Sequence, residues 1–297
     1  MRAGVIERDA CHTVVLELGD RWIDATRAWR DYNEFVEERT AARLNDVGCL
    51  IAAGLMTRSG YRRLTEFVQR HGRVNDYVVP GEPPFCQPLT PGKIIAIGRN
   101  YAKHAAELGN ECPEEPMFFN KIPSICIGPE QAIEHPEWVG RVDYEGELAL
   151  VIGRSGRNIT EEEADSYIAG YTLLNDVTAR ALQNLDKERG YPWTRAKNME
   201  TFCPVGPVVA YRESLPWPLE VDITTRVNGE VRQHSNTRYF LFSAARLIAY
   251  VSRYVALHPG DLIATGTPEG VGELHPGDVV EVEIPQIGVL RNPVVAA

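Results

Sequence analysis

The sequence predicts an α+β, mainly β protein. A small α+β N-terminal domain is expected over residues 1–87, and a larger domain of mixed, largely antiparallel sheet over 88–297. Three observations lead there. The later part of the chain holds many short apolar runs but few strand–helix–strand repeats, which argues against a doubly wound parallel sheet. Residues 219–227 alternate as an antiparallel strand does, and Asn228-Gly229 follows as a hairpin turn. Pro80, Pro83, Pro84, Pro88 and Pro91 cluster just before the first lysine of the chain, Lys93, and place a linker near residue 88.

In the first domain, residues 1–22 carry short apolar patches, VVLEL among them, that read as strands. Residues 27–37, 41–55 and 61–70 read as helices; Leu64, Phe67 and Val68 give one apolar stripe. No chemical constellation is visible here, so the segment reads as structural or dimer-forming.

From Lys93 the texture changes. KIIAIG is a short buried strand that runs through Arg99, Asn100 and Tyr101 into the helical AKHAAELG. His104 and Glu107 are three apart and share a helix face. A carboxylate beside an imidazole fixes its tautomer and raises its basicity, as a general base acting through water requires. A solvated helix face would have the same spacing. The polar, proline-bearing loop of residues 110–116 then suits a lid that excludes water.

The stretch that organises the chain is residues 142–153, VDYEGELALVIG, which alternates and then becomes continuously apolar, as a strand entering a buried sheet does. Glu145 and Glu147 point to one face of it. Asp176 ends a second apolar run, residues 167–174. Crowded carboxylates need a cation, or one must hold a proton. Three of them would suit a hard divalent ion, Mg2+, Mn2+ or Ca2+. An exposed edge strand with ordinary surface charges is the plainer reading.

Thr160 and Glu163 form a capping-box pattern for a helix over 159–166, and Thr178 is placed to cap the helix carrying Arg180 and Gln183. Arg180 can pair with a carboxylate or hold an anionic group bidentately. Lys197 lies in the irregular stretch WTRAKNMETFCPVGP, where a lysine is ordinarily a surface residue. Residues 240–254 show helical periodicity. TPEGVGELHPG is a glycine-punctuated loop whose N–H groups suit a carboxylate, and the chain closes in strands. No glycine pattern is a phosphate loop or dinucleotide fingerprint.

Bulk properties narrow the function. The 297 residues carry a formal net charge of -10, which argues against nucleic-acid or anionic-membrane partners. Cys11, Cys49, Cys86, Cys112, Cys126 and Cys203 have no metal-finger or secreted-disulfide spacing. With no secretory signal and no membrane-length apolar run, a cytoplasmic protein is expected.

In order, KIIAIGRNYAKHAAELG, FFNKIPS, VDYEGELALVIG, GYTLLNDVTAR, RAKNMETFCPVGP, VNGEVRQ and GDLIATGTPEGVG resemble the fumarylacetoacetate hydrolase family over roughly residues 88–295. GRNY and WTRAK resemble its acylpyruvase and hydroxymuconate-isomerase side. Glu200 stands where the family often has aspartate, and Tyr239-Phe240-Leu241 where it often has a Met-Ile-Phe run. The resemblance implies a β-roll-like catalytic domain, a homodimer, and a divalent metal on Glu145, Glu147 and Asp176. It implies a water-activating dyad in His104 and Glu107, and an oxygen-charge-stabilising lysine in Lys197. It also implies substrate contacts at Arg180, Gln183 and Thr267. The substrate expected is a small 2-oxo acid or its enol, and the reaction hydrolytic cleavage of an acylpyruvate such as fumarylpyruvate. Isomerisation of a 2-hydroxy-dienoate and decarboxylation or tautomerisation of oxaloacetate would use the same groups. A binding protein whose metal only staples loops is the alternative outside catalysis.

Overall fold

The computed structural model describes Met1 to Ala297 except Asp9, residues 38–42, Gly72, Arg73, Leu108 and Asn110. Its centre is the strand Gly146–Ile152, buried along its whole length. Successive side chains leave it on opposite faces: Ala149 and Val151 enter one apolar cluster, while Leu148, Leu150 and Ile152 enter another. A strand with a core on each face must be apolar throughout, which is why the alternation fades into a continuous run.

This strand pairs antiparallel with Ile168–Asn175, which pairs in turn with Cys203–Tyr211. On its other side it pairs with Leu262–Ala264, which lies parallel to Ile94–Gly98. The sheet extends to Met117–Lys121 at one edge. At the other, Arg2–Arg8 pairs with Cys203–Tyr211, so the N-terminal strands Arg2–Arg8, Cys11–Leu18, Arg21–Asp24 and Val78–Val79 continue the same sheet. Among the described residues this sheet has eleven strands, and two smaller sheets accompany it. A five-stranded one joins Asp222–Val227 and Glu230–Asn236 to Val279–Ile284, Gly288–Ala296 and Ile133–His135. Most pairings are antiparallel, as the sequence suggests.

The five-stranded sheet presses on the central strand at Gly146. A Cβ there would lie 2.2 Å from Thr225 Oγ1 and 3.1 Å from a Val282 methyl, so the close approach needs glycine. Asn228 and Gly229 both take positive φ, 54° and 79°, as the expected hairpin turn requires.

Several local expectations are corrected. The stretch 142–153 is two strands, Val142–Tyr144 and Gly146–Ile152, interrupted at Glu145. The Asn175 side chain takes the Glu145 N–H at 2.9 Å, and the Glu145 carbonyl accepts from Asp176 N–H at 2.8 Å. Thr160 and Glu163 exchange the capping-box bonds, but only turns and the 3-10 segment Ala164–Tyr167 follow. Thr178 does not cap: its hydroxyl donates back to the Asp176 carbonyl, and the helix Arg180–Glu188 starts from Ala179 with no side-chain cap. The last long helix begins at Ala244, where Ser243 caps it, rather than at 240. The helix expected over 41–55 is Val47–Ala52, capped by Asp46; Ala41 and Ala42 lie outside the described residues. Helices Ala25–Phe35 and Arg58–His71 match the other two N-terminal segments. No helix among the described residues is long and apolar enough to cross a membrane.

Candidate functional site

Three carboxylates converge where the central strands end. Glu145 sits at the strand break, Glu147 two residues on, and Asp176 just past Ile168–Asn175. One oxygen from each lies within 4.8 Å of the others, and all three residues are buried. The register explains the meeting: Gly146 faces Asn175 and Glu147 faces Leu174 across the ladder. The all-oxygen, all-anionic donor set fits a hard divalent cation.

Basic groups hold the cluster together. Lys197, ending the short helix Thr194–Lys197, donates to Glu145 Oε2 at 2.7 Å and Asp176 Oδ2 at 2.6 Å. Lys121, ending the strand Met117–Lys121, donates to Asp176 Oδ1 and to the Lys197 carbonyl, each at 2.6 Å. Arg180 pairs with Glu145, with Asp143 Oδ2 at 2.7 Å and with Gln183 Oε1 at 2.5 Å. Arg141 closes the network on Asp143 at 2.6 and 3.1 Å. Glu147 differs from the other two: the Gly266 N–H donates to it at 2.8 Å, and no basic side chain pairs with it among the described residues.

Protonation follows. Burial would push Glu145 up, but the Lys197 ammonium and the Arg180 guanidinium outweigh it and hold the carboxyl far below its usual range. Burial pushes Glu147 well above its usual range, and the charges of Asp176 and Glu145 push it further. Lys197 is pulled down by burial but lifted by Asp176 and Glu145, with a net rise, so it stays an ammonium at neutral pH.

His104 and Glu107 do meet. Both ride on the helix Ala102–Glu107, and His104 Nδ1 lies 3.5 Å from Glu107 Oε2. His104 is 5% exposed, and its Nδ1 makes no hydrogen bond among the described residues. Burial lowers its pKa more than the nearby carboxylates raise it, leaving a neutral imidazole at pH 7. The Glu107 carboxylate also accepts the Gly270 N–H at 3.0 and 3.1 Å, tying this helix to the glycine-punctuated loop. Of the loop expected over 110–116, Asn110 lies outside the described residues, as does Leu108 before it.

One pocket of about 260 Å3 gathers these groups. The acidic triad, His104, Glu107 and Lys197 line it, and so do Arg180, Gln183 and Thr267. The Thr267 hydroxyl accepts from Gln233 Nε2 at 2.8 Å, which leaves its own proton free to donate into the pocket. All nine site residues singled out in the sequence therefore share one pocket.

Sequence reasoning missed Lys121 and Asp143. Asp143 had a signal, since it has the strand parity of Glu145. Lys121 had a weaker one, ending an apolar run in which a lysine so placed is ordinarily solvated. Replacing Lys121 by Met would leave Asp176 one ammonium short in a dry site and the Lys197 carbonyl without its donor. The variant should unfold about 3 kcal/mol more easily, read as a lower urea midpoint at unchanged slope. A midpoint equal to wild type would show that Lys121 does not hold the cluster.

Comparison with known proteins gives a consistent picture. The family model described as fumarylacetoacetate (FAA) hydrolase C-terminal matches residues 93–295. The mitochondrial oxaloacetate tautomerase of Xenopus laevis is 44% identical over 216 residues, 70% of this chain and 67% of that protein. The crystal structure of fumarylpyruvate hydrolase from Pseudomonas aeruginosa, in complex with Mn2+ and pyruvate, is 33% identical, with a TM-score of 0.67 over 74% of this chain and 94% of that one. The fumarylacetoacetate hydrolase of the psychrophile Exiguobacterium antarcticum is 32% identical, with a TM-score of 0.81 over the full length of both chains. With a family model spanning more than half its length and buried acidic residues at its centre, this chain belongs to the fumarylacetoacetate hydrolase family.

Proposed function

We propose that this enzyme is a divalent-metal-dependent hydrolase that cleaves a C–C bond in an acylpyruvate, a 2,4-dioxo acid such as fumarylpyruvate. The observation that carries this reading is the neutral, buried His104, paired with Glu107 in the same pocket as the three carboxylates. Glu145, Glu147 and Asp176 would hold the ion, Mg2+ or Mn2+, with Ca2+ also compatible with the donor set. When bound, such an ion supplies Lewis acidity that withdraws charge from the 2-oxo acid end of the substrate.

The chain's own groups do the rest. The Nδ1 of His104 faces Glu107, which leaves Nε2 to take a proton from water. The hydroxide so formed adds to the distal carbonyl carbon. The bond between that carbon and its neighbour then breaks, the electron pair leaves with the pyruvate fragment, and His104 returns the proton there. Lys197 remains protonated throughout and donates a hydrogen bond to the oxygen of the attacked carbonyl as charge develops on it. The Thr267 hydroxyl donates to the substrate carboxylate. Arg180 keeps Glu145 ionised and aligned, and also orients Gln183 toward the pocket.

Charge balance supports an anionic substrate. Asp143, Glu145, Glu147 and Asp176 face Arg141, Arg180, Lys121 and Lys197, so the network is near neutral by itself. A divalent ion would make it cationic, as a 2-oxo acid anion requires. A second reading is oxaloacetate tautomerisation, favoured by the 44% identity to the Xenopus laevis tautomerase. It needs no attacking water. Assaying chelator-stripped protein with Mg2+ or Mn2+ restored separates the two. Pyruvate plus a free acid from fumarylpyruvate or acetylpyruvate is the expected result. Enol loss from oxaloacetate without C–C cleavage of either acylpyruvate would favour the tautomerase.

Two outcomes follow from this reading. Each preorganised donor or base of this kind contributes about 3 kcal/mol to the transition state, so His104→Ala and Lys197→Ala should each cut turnover at least ~100-fold while the protein stays folded. Near-normal cleavage by both would refute the assignment. Because Glu147 is held protonated by burial and by its carboxylate neighbours, Mn2+ must displace a proton from it. Affinity should therefore rise with pH through the raised Glu147 titration, with a proton released on binding below it. Calorimetry in buffers of different ionisation enthalpy reads that proton, and binding without proton release would contradict the raised Glu147.

A further inference from the structure

We propose that Arg99 receives a second carboxylate at the far end of the substrate, so that the pocket selects 2-oxo acids bearing a distal carboxylate over those with an uncharged tail. This rests on the reading of the pocket as a 2-oxo acid site, and it names the class of acid.

Arg99 stands in an imposed conformation. The strand Ile94–Gly98 ends beside it, and its φ is 57°, in the left-handed region that arginine rarely adopts. Its neighbour Asn100 imposes this. The Asn100 amide donates to the Thr265 carbonyl at 2.9 Å and the Phe242 carbonyl at 3.2 Å, its Oδ1 accepts from Phe242 N–H at 2.8 Å, and its own carbonyl accepts from Leu241 N–H at 2.8 Å. A backbone held this way in a sparsely populated region persists only where its surroundings over-determine it, and such positions gather at ligand sites.

The consequence is an arginine on the pocket wall with its guanidinium 5.8 Å from the centroid of the Trp193 ring. The fit there is close, since a Cβ on Gly98 would come within 3.1 Å of that ring. The other arginines on the wall are committed: Arg141 to Asp143, and Arg180 to Asp143 and Glu145. Lys197 is committed to Glu145 and Asp176, with its remaining N–H directed at the attacked carbonyl, and Lys187, also on the wall, has a partner of its own. No carboxylate pairs with Arg99 among the described residues. Partial burial disfavours its charge, and no acidic neighbour compensates. A partly desolvated guanidinium whose donor fork makes no hydrogen bond among the described residues, braced on an aromatic face, is a receptor for a carboxylate. The triad and Thr267 serve the 2-oxo acid end, which leaves Arg99 for the other.

The test uses Arg99→Gly and Arg99→Lys. Glycine takes positive φ without strain, so the first variant removes the guanidinium while the backbone is kept. Calorimetry on the Mn2+-loaded protein compares 2-oxoadipate with 2-oxohexanoate, in which a methyl group replaces the distal carboxylate. Wild type should bind the diacid at least ~10-fold more tightly, the Gly variant should lose that preference, and the Lys variant should keep part of it. In turnover, the ratio of kcat/KM for fumarylpyruvate over acetylpyruvate should fall at least ~10-fold in the Gly variant, through KM. Equal binding of both acids by wild type, or an undiminished preference in the Gly variant, would overturn the proposal. Binding of neither acid by wild type would overturn the underlying reading of the pocket itself.

Discussion

Three buried carboxylates brought within 4.8 Å of one another set the terms for the rest of the molecule. Left alone they would repel and lose their hydration together, an arrangement the interior of a protein does not tolerate. Each element around them answers that problem. The sheet brings Glu145, Glu147 and Asp176 to one end of adjacent strands, and Lys121, Lys197 and Arg180 arrive from three other elements to neutralise two of the three. Among the described residues, Glu147 alone of the three is left without a basic partner. Its charge is the one that a bound divalent cation, rather than a basic side chain, would compensate.

The same constraint explains where the fold departs from regularity. The central strand breaks at Glu145 so that its backbone can bond to Asn175 and Asp176 rather than continue the ladder. Thr178 turns back onto the Asp176 carbonyl instead of capping the next helix. Gly146, between the two glutamates, lets the five-stranded sheet press close enough to dry the site from behind. A dry site strengthens the charge interactions that keep Lys197 protonated, and the same burial keeps His104 neutral.

Much of this was legible in the sequence, because strand periodicity is local. The parity of Glu145 and Glu147, the apolar run ending at Asp176 and the helical spacing of His104 and Glu107 need no tertiary information. The family motifs supplied the roles of Gln183, Thr267 and Lys197, the last of which its setting alone would leave as a surface residue, while Arg180 already read as a partner for a carboxylate or an anionic group. Tertiary partners were not legible. Nothing near Lys121 in the chain says that it reaches Asp176, 55 residues away, and nothing near Arg99 marks its positive φ, which is set by the clamp of Asn100 on Thr265 and Phe242. Helix limits were misjudged where a capping pattern formed its bonds but too few buried side chains followed to sustain a helix, as after Thr160.

The most direct test of the central claim is anomalous diffraction from crystals grown with Mn2+. A single strong peak among the carboxylate oxygens of Glu145, Glu147 and Asp176, at about 2.2 Å from each, is expected. A peak elsewhere, or none at the triad while Lys197 stays between Glu145 and Asp176, would contradict it and leave the cluster a salt-bridge network without a metal.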